Sequence, residues 1–265
     1  MPDWMSRLAG RAATRPTRPR SALWLAPGGP RVGSLEPALA QALLDGGLPL
    51  HACAAGWHLT SPADTALADI ARWLHTQALG GRWRNERLAV TDDADRAVAT
   101  IERAAVRPLG ITTHAVHLVV CTPAGGVWVQ QRALDKATDP GLWDTTMGGL
   151  RSAGETVHET LERETWEEAG LRLSQFETLV PRGRLTVRRP VQDPPQGYMV
   201  EHIDTFEAVL PNGSVPVNQD GEVARFECLS FAEVHHWLRR DCFTLEAALV
   251  MLRCLPDLAR FDAVG

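Results

Sequence analysis

Apolar and polar positions alternate with two different periods along the first 110 residues. Helical spacing predicts one helix capped by Ser34 and another that begins at Ser61-Pro62. Short apolar runs, bounded by Gly or Asp, predict strands at 21–26, 48–59, 87–91 and 97–104. This part of the chain therefore predicts a small α+β unit, and it contains no grouping of residues typical of a metal site or a nucleophile.

The pattern changes at 115–121, a continuous apolar run of the kind expected from a strand buried on both faces. A turn at 122–126 and a return strand at 127–132 follow. Further strands are predicted at 179–187, 199–210 and 224–229, and the first two are joined by a long loop that contains Arg188, Arg189, Pro190 and Asp193-Pro194-Pro195. Ser230 and Thr244 begin the last two predicted helices.

Between these strands, the stretch 155–169 predicts a helix whose apolar stripe ends in carboxylates. At about 100° per residue, one stripe holds Val157, Leu161, Glu164 and Glu168. Glu167 lies beside this stripe and Trp166 lies nearly opposite. Because like charges four residues apart disfavour a helix, Glu164 and Glu168 need a compensating cation, which a divalent metal would supply. Arg163 is placed to bind Glu155 or Glu167, leaving the other carboxylates free for the ion.

Composition excludes some classes of function. The 265 residues, 45% of them hydrophobic, can fill a sizeable core in one large or two modest domains. A formal net charge of -5 and a pI near 6.0 predict no basic surface for nucleic acid. Five scattered cysteines predict neither disulfides nor a zinc site and fit a reducing cytoplasm. No apolar run approaches the roughly 20 residues that cross a membrane.

The first 20 residues contain five arginines together with Pro16 and Pro19. Such a composition could imitate an organellar transit peptide. Asp3 and the prolines fit an amphipathic targeting helix poorly, so we predict a flexible or loosely docked N-terminal segment.

The stretch 149–171 matches a longer pattern, G-x5-E-x7-R-E-U-x-E-E-x-G-U, in which U is a bulky aliphatic residue. The fixed positions are filled by Gly149, Glu155, Arg163, Glu164, Glu167, Glu168, Gly170 and Leu171. Thr165 departs from the pattern at the first U. The stretch resembles the Nudix box, the signature of the Nudix hydrolases. The resemblance implies an α/β/α sandwich with a mixed sheet over 111–265, and hydrolysis of a diphosphate linkage in a nucleoside diphosphate linked to another group.

A looser resemblance covers the preceding residues. The segments 83–86, 101–105, 109–111 and 116–117 look like the accessory domain that precedes the Nudix domain in one two-domain branch of the family. Some members of that branch are fused to or associated with thiamine pyrophosphokinase. This resemblance predicts an α+β accessory domain over 1–110, and thiamine diphosphate or a damaged analogue as a first substrate.

The Nudix resemblance also implies roles for individual residues. Glu164, Glu167 and Glu168 are expected to hold Mg²⁺ or Mn²⁺, with Arg163 beside them. The general base is either a box glutamate or a carboxylate from outside the box. Glu222 is the outside candidate and Glu201 the second, although Glu222 could equally be an ordinary turn carboxylate.

Four basic residues are candidates for substrate contact. Arg132 and Lys136 could meet substrate phosphates or belong to a solvated loop, and Arg84 and Arg103 could contact substrate or form salt bridges. The expected partner is a small-molecule diphosphate, and a homodimer is compatible with the sequence. Two rival functions are a Nudix-fold isomerase of the isopentenyl-diphosphate type, which would need a Cys and Glu pair, and a non-catalytic nucleotide-diphosphate sensor.

Overall fold

The computed structural model describes residues 3–192, 194 and 196–258. Its α-helices are α1 (Asp3–Ala12), α2 (Pro37–Asp45), α3 (Ala63–Thr76), α4 (Val157–Ala169), α5 (Phe231–Arg239) and α6 (Leu245–Cys254). Its first six strands are β1 (Ser21–Trp24), β2 (Arg31–Leu35), β3 (Leu50–Cys53), β4 (Gly56–Leu59), β5 (Arg87–Thr91) and β6 (Ala97–Glu102). The others are β7 (Thr112–Cys121), β8 (Gly126–Arg132), β9 (Trp143–Asp144), β10 (Met147–Leu150), β11 (Thr178–Pro190), β12 (Tyr198–Val209) and β13 (Val223–Ser230).

These strands form three sheets in the described part of the chain. Four of them make a sheet in the order β2-β1-β4-β3, and β5 pairs with β6 as a separate hairpin. The largest sheet has the order β11-β12-β7-β8-β13, with β10 added to β7 and β9 to β8. It is mixed, because β12 runs parallel to β7 while the other pairs are antiparallel.

Alternation along β7 directs its side chains to two different cores. Val116 and Leu118 pack in a cluster with Leu161 of α4. Ala115 and Val119 face the other way, into a cluster formed with α1, α5 and α6. The large sheet therefore lies between helices, which confirms the predicted α/β sandwich. A third cluster joins α2, α3 and the strands β1–β6 into the predicted small α+β region.

The N-terminal segment is a docked helix, so the prediction of a flexible or loosely docked segment was wrong. Trp4, Met5 and Leu8 of α1 are buried, and α1 packs against α6 and β11. The apolar residues of this segment have the spacing of an amphipathic helix. The prolines do not interrupt the helix, because Pro16 and Pro19 both follow its last residue. This helix packs on the same core as the large sheet, and the division of the chain at residue 110 stays a prediction.

Replacing Leu8 with alanine should lower the free energy of unfolding by about 3 kcal/mol, because the side chain is 4% exposed in a close-packed cluster. Urea denaturation measures this loss. The matched control is Leu134→Ala, because Leu134 is 78% exposed and should cost less than about 0.5 kcal/mol. Equal effects of the two substitutions would contradict the docking of α1.

Capping predictions had mixed outcomes. Ser230 and Thr244 cap α5 and α6 as predicted, each accepting a backbone hydrogen bond. Ser34 lies in β2 instead, and α2 begins after Glu36. The α3 helix begins after Pro62, and no side-chain cap from Ser61 forms. Both wrong predictions placed the cap at a serine close to the helix start, because serine is a preferred N-cap residue. In the structure, the N-cap residue lies one or two positions later.

The predicted long loop between the two strands after the box is shorter than expected. Arg188, Arg189 and Pro190 belong to β11, which pairs with β12 as far as Tyr198. Asp193 and Pro195 lie outside the described residues. Within the described ranges, no helix has the length and apolar character that crossing a membrane requires.

Candidate active site

The α4 helix carries four of the predicted site residues, Arg163, Glu164, Glu167 and Glu168. Thr156 caps its first turn in a capping box with Glu159, and Gly170 ends it in the left-handed conformation at φ 63°. Trp166 faces solvent, as the helical stripe predicts. Thr165, the departure from the box pattern, is fully buried, so the substitution affects packing.

Glu164 points from α4 toward β10, where Gly149 leaves room for it. A Cβ atom on Gly149 would lie only 2.0 Å from Cδ of Glu164. Burial raises the pKa of Glu164 to about 7; the charges of Glu167 and Glu222 add to this, while Arg163 opposes it. The glycine of the box therefore explains how a carboxylate can sit against the strand.

Glu168 is the most enclosed of the box carboxylates. Its Oε2 accepts hydrogen bonds of 2.9 Å from the Gly148 backbone N–H and from Nε2 of Gln130. Burial and the nearby charge of Glu164 raise the pKa of Glu168 to about 8. Burial is the main cause of the raised pKa of both Glu164 and Glu168, and two largely enclosed carboxylates of this kind are suited to binding a cation. Their hard oxygen donors fit Mg²⁺ or Mn²⁺.

Arg163 joins the carboxylates of the box into one network. Its Nε and one terminal nitrogen bind the two oxygens of Glu155 at 2.7 and 2.8 Å. The other terminal nitrogen binds Glu164 at 2.8 Å and Glu167 at 2.9 Å. Both predicted contacts are present, and the contact with Glu164 is an addition. The Arg163 hydrogen bond holds the pKa of Glu155 below its usual range, so this carboxylate stays charged.

A cavity of about 560 Å³ opens beside this network. The box contributes Glu155, Arg163, Glu164, Glu167 and Glu168 to its wall, and other elements contribute Arg103, Arg107, Arg132, Lys136, Glu201 and Glu222. Carboxylates and basic groups therefore share one cavity, as a site for a metal ion and a phosphate ester would require.

Arg132 and Lys136, the two residues predicted to contact substrate phosphates, both line the cavity, but each pairs with a carboxylate. Arg132 donates to Asp144 at 3.2 Å and to the carbonyl of Thr138 at 2.9 Å. Lys136 forms an ion pair with Glu222. Neither is a solvated loop residue, since only 17% and 18% of their side chains are exposed. A phosphate would have to compete with these carboxylates.

The structure separates the two basic candidates of the first 110 residues. Arg103 lines the cavity and binds Glu86 at 2.7 Å. Arg84 is exposed, and among the described residues it is not part of the cavity wall. Trp83 likewise lies away from the cavity, where its ring packs against His75.

The two candidate bases outside the box both line the cavity. Although burial raises the pKa of Glu222, its hydrogen bond and ion pair with Lys136 lower it overall. Glu201 is more tightly held, at 2.8 Å from Arg107 and 2.7 Å from Oγ1 of Thr113. Burial raises its pKa less than these partners lower it, and Glu201 stays charged.

Sequence reasoning missed several polar residues of this cavity. Asp144 bonds Arg132 and lies 3.7 Å from Nδ1 of His117, which in turn lies 2.9 Å from Oγ1 of Thr145. His117 lies within the apolar run 115–121 and could have indicated this cluster, because a polar residue in a buried strand requires a partner. Asp144 and Gln130 had no comparable signal in the sequence.

Gly149→Ala should keep the fold and reduce turnover by at least ~10-fold, because the new Cβ would displace the Glu164 carboxylate from its place. Gly149 does not have a positive φ, so alanine can adopt its backbone conformation. Steady-state kinetics and circular dichroism measure the two effects. Gly10→Ala is the control, because its Cβ would meet nothing within 4 Å. Wild-type turnover in Gly149→Ala would contradict the role of this glycine.

Comparison with known proteins places the site in a family. The NUDIX domain model matches residues 112–247, about half of the chain. An uncharacterized Nudix hydrolase of Pseudomonas aeruginosa is 37% identical over 87 residues, 33% of this chain and 52% of the relative. Nudix hydrolase 20, chloroplastic, of Arabidopsis thaliana is 28% identical over 191 residues, 70% of this chain and 50% of the relative.

The chain thus spans about half the length of these curated relatives. Among solved structures, the Deinococcus radiodurans protein DR0079 superposes with a TM-score of 0.51 at 22% identity, covering 64% of this chain and 99% of that one, which supports the fold. The family match includes the strands of the large sheet, the box helix and the residues that line the cavity apart from Glu86, Arg103 and Arg107. This chain belongs to the NUDIX domain family.

Proposed function

We propose that this chain is a metal-dependent pyrophosphohydrolase that cleaves a diphosphate linkage in a small organic diphosphate. The observation that carries the proposal is the meeting of Glu164, Glu167 and Glu168 with basic side chains in one cavity. Family membership supports the same reaction class, because the relatives from Pseudomonas aeruginosa and Arabidopsis thaliana are Nudix hydrolases. Hydrolysis of a phosphorus-containing anhydride needs both features, since the substrate is itself strongly anionic.

When bound, Mg²⁺ or Mn²⁺ would supply positive charge against the diphosphate oxygens and acidify the attacking water. Glu164, Glu167 and Glu168 would hold the ion. Arg163 keeps two of these carboxylates oriented through bonds of 2.8 and 2.9 Å. Lys136 and Arg132 would exchange their carboxylate partners for substrate phosphate oxygens.

Glu222 is the general base in this proposal. Once a phosphate binds Lys136, Oε2 of Glu222 loses its partner and can accept a proton from the attacking water. Glu201 suits this role less well, because Arg107 and Thr113 both bind its Oε2. Glu222→Gln should therefore reduce turnover more than Glu201→Gln, and the reverse order would assign the base to Glu201.

The isomerase alternative has one observation in its favour, since isopentenyl-diphosphate isomerases are also similar to part of this chain. Its Cys and Glu pair is not formed among the described residues, because neither Cys121 nor Cys228 lines the cavity. Burial also raises the pKa of Cys121 to about 12, which suits a structural thiol. A non-catalytic sensor would have no need for the complete set of box glutamates.

Thiamine diphosphate or a damaged analogue is the first substrate to test, on the resemblance of the first 110 residues to an accessory domain. The match to the Arabidopsis relative covers 191 residues, more than the NUDIX domain at 112–247. It therefore supports a relationship that extends outside the NUDIX domain. We retain an accessory domain at 1–110 and a Nudix domain at 111–265. The cytoplasmic location and the homodimer stay predictions.

A panel of dinucleotides, nucleotide sugars and thiamine diphosphates, assayed for phosphate or monophosphate release with Mg²⁺, tests the function. We expect hydrolysis of at least one diphosphate, and loss of that hydrolysis when the ion is chelated. Isomerisation of isopentenyl diphosphate without phosphate release would instead favour the isomerase. Binding without turnover across the panel would favour a sensor.

Arg103→Ala should raise the KM for the best substrate by about 10-fold with little change in kcat, because a cation in the cavity wall binds the ground state and the transition state alike. Arg72→Ala is the matched control, and it should change neither constant because the Arg72 side chain is 65% exposed on α3, pairs with Asp69 and is not among the described residues that line the cavity. Equal effects of the two substitutions would show that residues 1–110 do not select the substrate through Arg103.

A further inference from the structure

Three potential metal ligands converge outside the box cavity. They are Asp95, in the turn between β5 and β6, His114 of β7 and His202 of β12, and one ligand atom from each lies within 4.8 Å of the others. The parallel register of β7 and β12 sets His202 directly beside His114. The turn of a separate hairpin then brings Asp95 to the pair. Three elements distant in sequence therefore meet at one point.

Both histidines have an unused ring nitrogen at this point. Nδ1 of His114 and Nδ1 of His202 are buried, and neither has a hydrogen-bond partner among the described residues. His114 is only 4% exposed, and Oγ1 of Thr91 lies 3.1 Å from its Nε2, which leaves Nδ1 to bind something else. A buried polar atom without a hydrogen-bond partner is unfavourable, so two neighbouring ones indicate that a ligand binds between them.

The two carboxylate oxygens of Asp95 have different partners. Oδ2 of Asp95 binds Arg184, which also donates to Asp204 at 2.9 Å. Oδ1 of Asp95 lies on the side of His202, 3.4 Å from its Nδ1. One oxygen of Asp95 therefore faces the two histidines.

We propose that Asp95, His114 and His202 bind a divalent transition metal ion of the Zn²⁺ class, separately from the box. Two imidazole nitrogens and one carboxylate oxygen form a donor set typical of Zn²⁺, with a position left for water. Tetrahedral zinc with bonds near 2.0 Å sets its ligand atoms about 3.3 Å apart. The pair formed by Nδ1 of His202 and Oδ1 of Asp95 has nearly this spacing, at 3.4 Å, and the ligand atoms of all three residues lie within 4.8 Å of one another.

The two sites select different ions. The box offers carboxylates alone, which suit Mg²⁺ or Mn²⁺, whereas imidazole favours Zn²⁺. Asp95 and His202 line a second cavity of about 480 Å³, and none of its described lining residues belongs to the box cavity. An ion here would fasten the β5–β6 hairpin to the large sheet, and its binding does not depend on the proposed hydrolase activity.

Equilibrium dialysis of the full chain against Zn²⁺ in excess Mg²⁺, followed by metal analysis, tests the proposal. The Mg²⁺ occupies the box, so we expect one equivalent of Zn²⁺ in the wild type. Asp95→Asn and His202→Asn should weaken Zn²⁺ binding by at least ~100-fold, since even the outer partners of metal ligands contribute 10-fold to 100-fold. Asn suits position 95, where φ is 58°. Co²⁺ in place of Zn²⁺ should give visible absorption bands that Asp95→Asn removes.

The control variant is His51→Asn, which removes an exposed histidine of the first sheet next to His58. It should bind Zn²⁺ like the wild type. Circular dichroism checks the fold of each variant, and Asp95→Asn decides the test if His202→Asn unfolds. Absence of bound Zn²⁺ in the wild type under excess Mg²⁺, or equal Zn²⁺ binding by Asp95→Asn and His51→Asn, would overturn the proposal.

Discussion

Glu168→Gln should reduce turnover by at least ~100-fold while the protein keeps its fold. The substitution keeps the size of the side chain and an oxygen that can accept the Gly148 N–H, so β10 and α4 stay in place. It removes a negative charge that burial and the neighbouring charge of Glu164 make unfavourable. The free energy of unfolding should therefore stay the same or increase. Turnover falls because a neutral amide holds a divalent ion poorly.

Steady-state turnover on a diphosphate that the wild type hydrolyses, at saturating Mg²⁺, measures this effect. Glu162→Gln is the matched control on the same helix, because Glu162 is 38% exposed and pairs with Arg172. It should leave turnover within about 2-fold of the wild type, as expected for a surface substitution. A Glu168→Gln protein that retains wild-type turnover would disprove the assigned role of this carboxylate.

Arg163→Met should lower the free energy of unfolding by roughly 2 to 3 kcal/mol, and turnover by about 10-fold or more. Methionine keeps much of the length of the side chain but removes the guanidinium that binds Glu155, Glu164 and Glu167. Three carboxylates would then repel one another without a partner. The loss stays below that of a fully buried pair, because 31% of the Arg163 side chain is exposed.

Arg172→Met provides the comparison for this stability measurement. Arg172 is an arginine close to the same helix, but its side chain is 49% exposed and lies 3.7 Å from Glu162. Its replacement should cost about 1 kcal/mol or less by urea denaturation. If Arg163→Met and Arg172→Met cost the same, the network around Arg163 does not stabilise the box.

The box and its helix could be predicted closely from the sequence because their information is local. Spacing alone predicted α4 to within two residues at its start, the exposed Trp166 and the contact between Arg163 and Glu155. Helical periodicity and charge repulsion act between residues a few positions apart, so one sequence is enough to infer them. The α/β/α sandwich with a mixed sheet followed from the resemblance to the family.

Contacts distant in sequence could not be predicted in this way. The pairing of Lys136 with Glu222 joins residues 86 positions apart, and that of Arg107 with Glu201 joins residues 94 apart. Which basic group meets which carboxylate depends on strand register, and register is set by the packed sheet as a whole. The sequence likewise did not show that Arg103 lines the cavity and that Arg84 does not.

The docking of α1 on α6 affects how the chain folds as well as how stable it is. The ion pair between Arg11 and Asp241, in the turn between α5 and α6, joins residues 230 positions apart, so the docking of α1 is complete only after the residues up to α6 are in place. The entropy of closing so long a loop grows only with the logarithm of its length and is a modest thermodynamic cost. The kinetic cost is larger, because during synthesis the apolar face of Trp4, Met5 and Leu8 is made well before its partner helix α6. Until then this face is exposed to other chains, and aggregation should compete with folding most strongly before α6 has been synthesised.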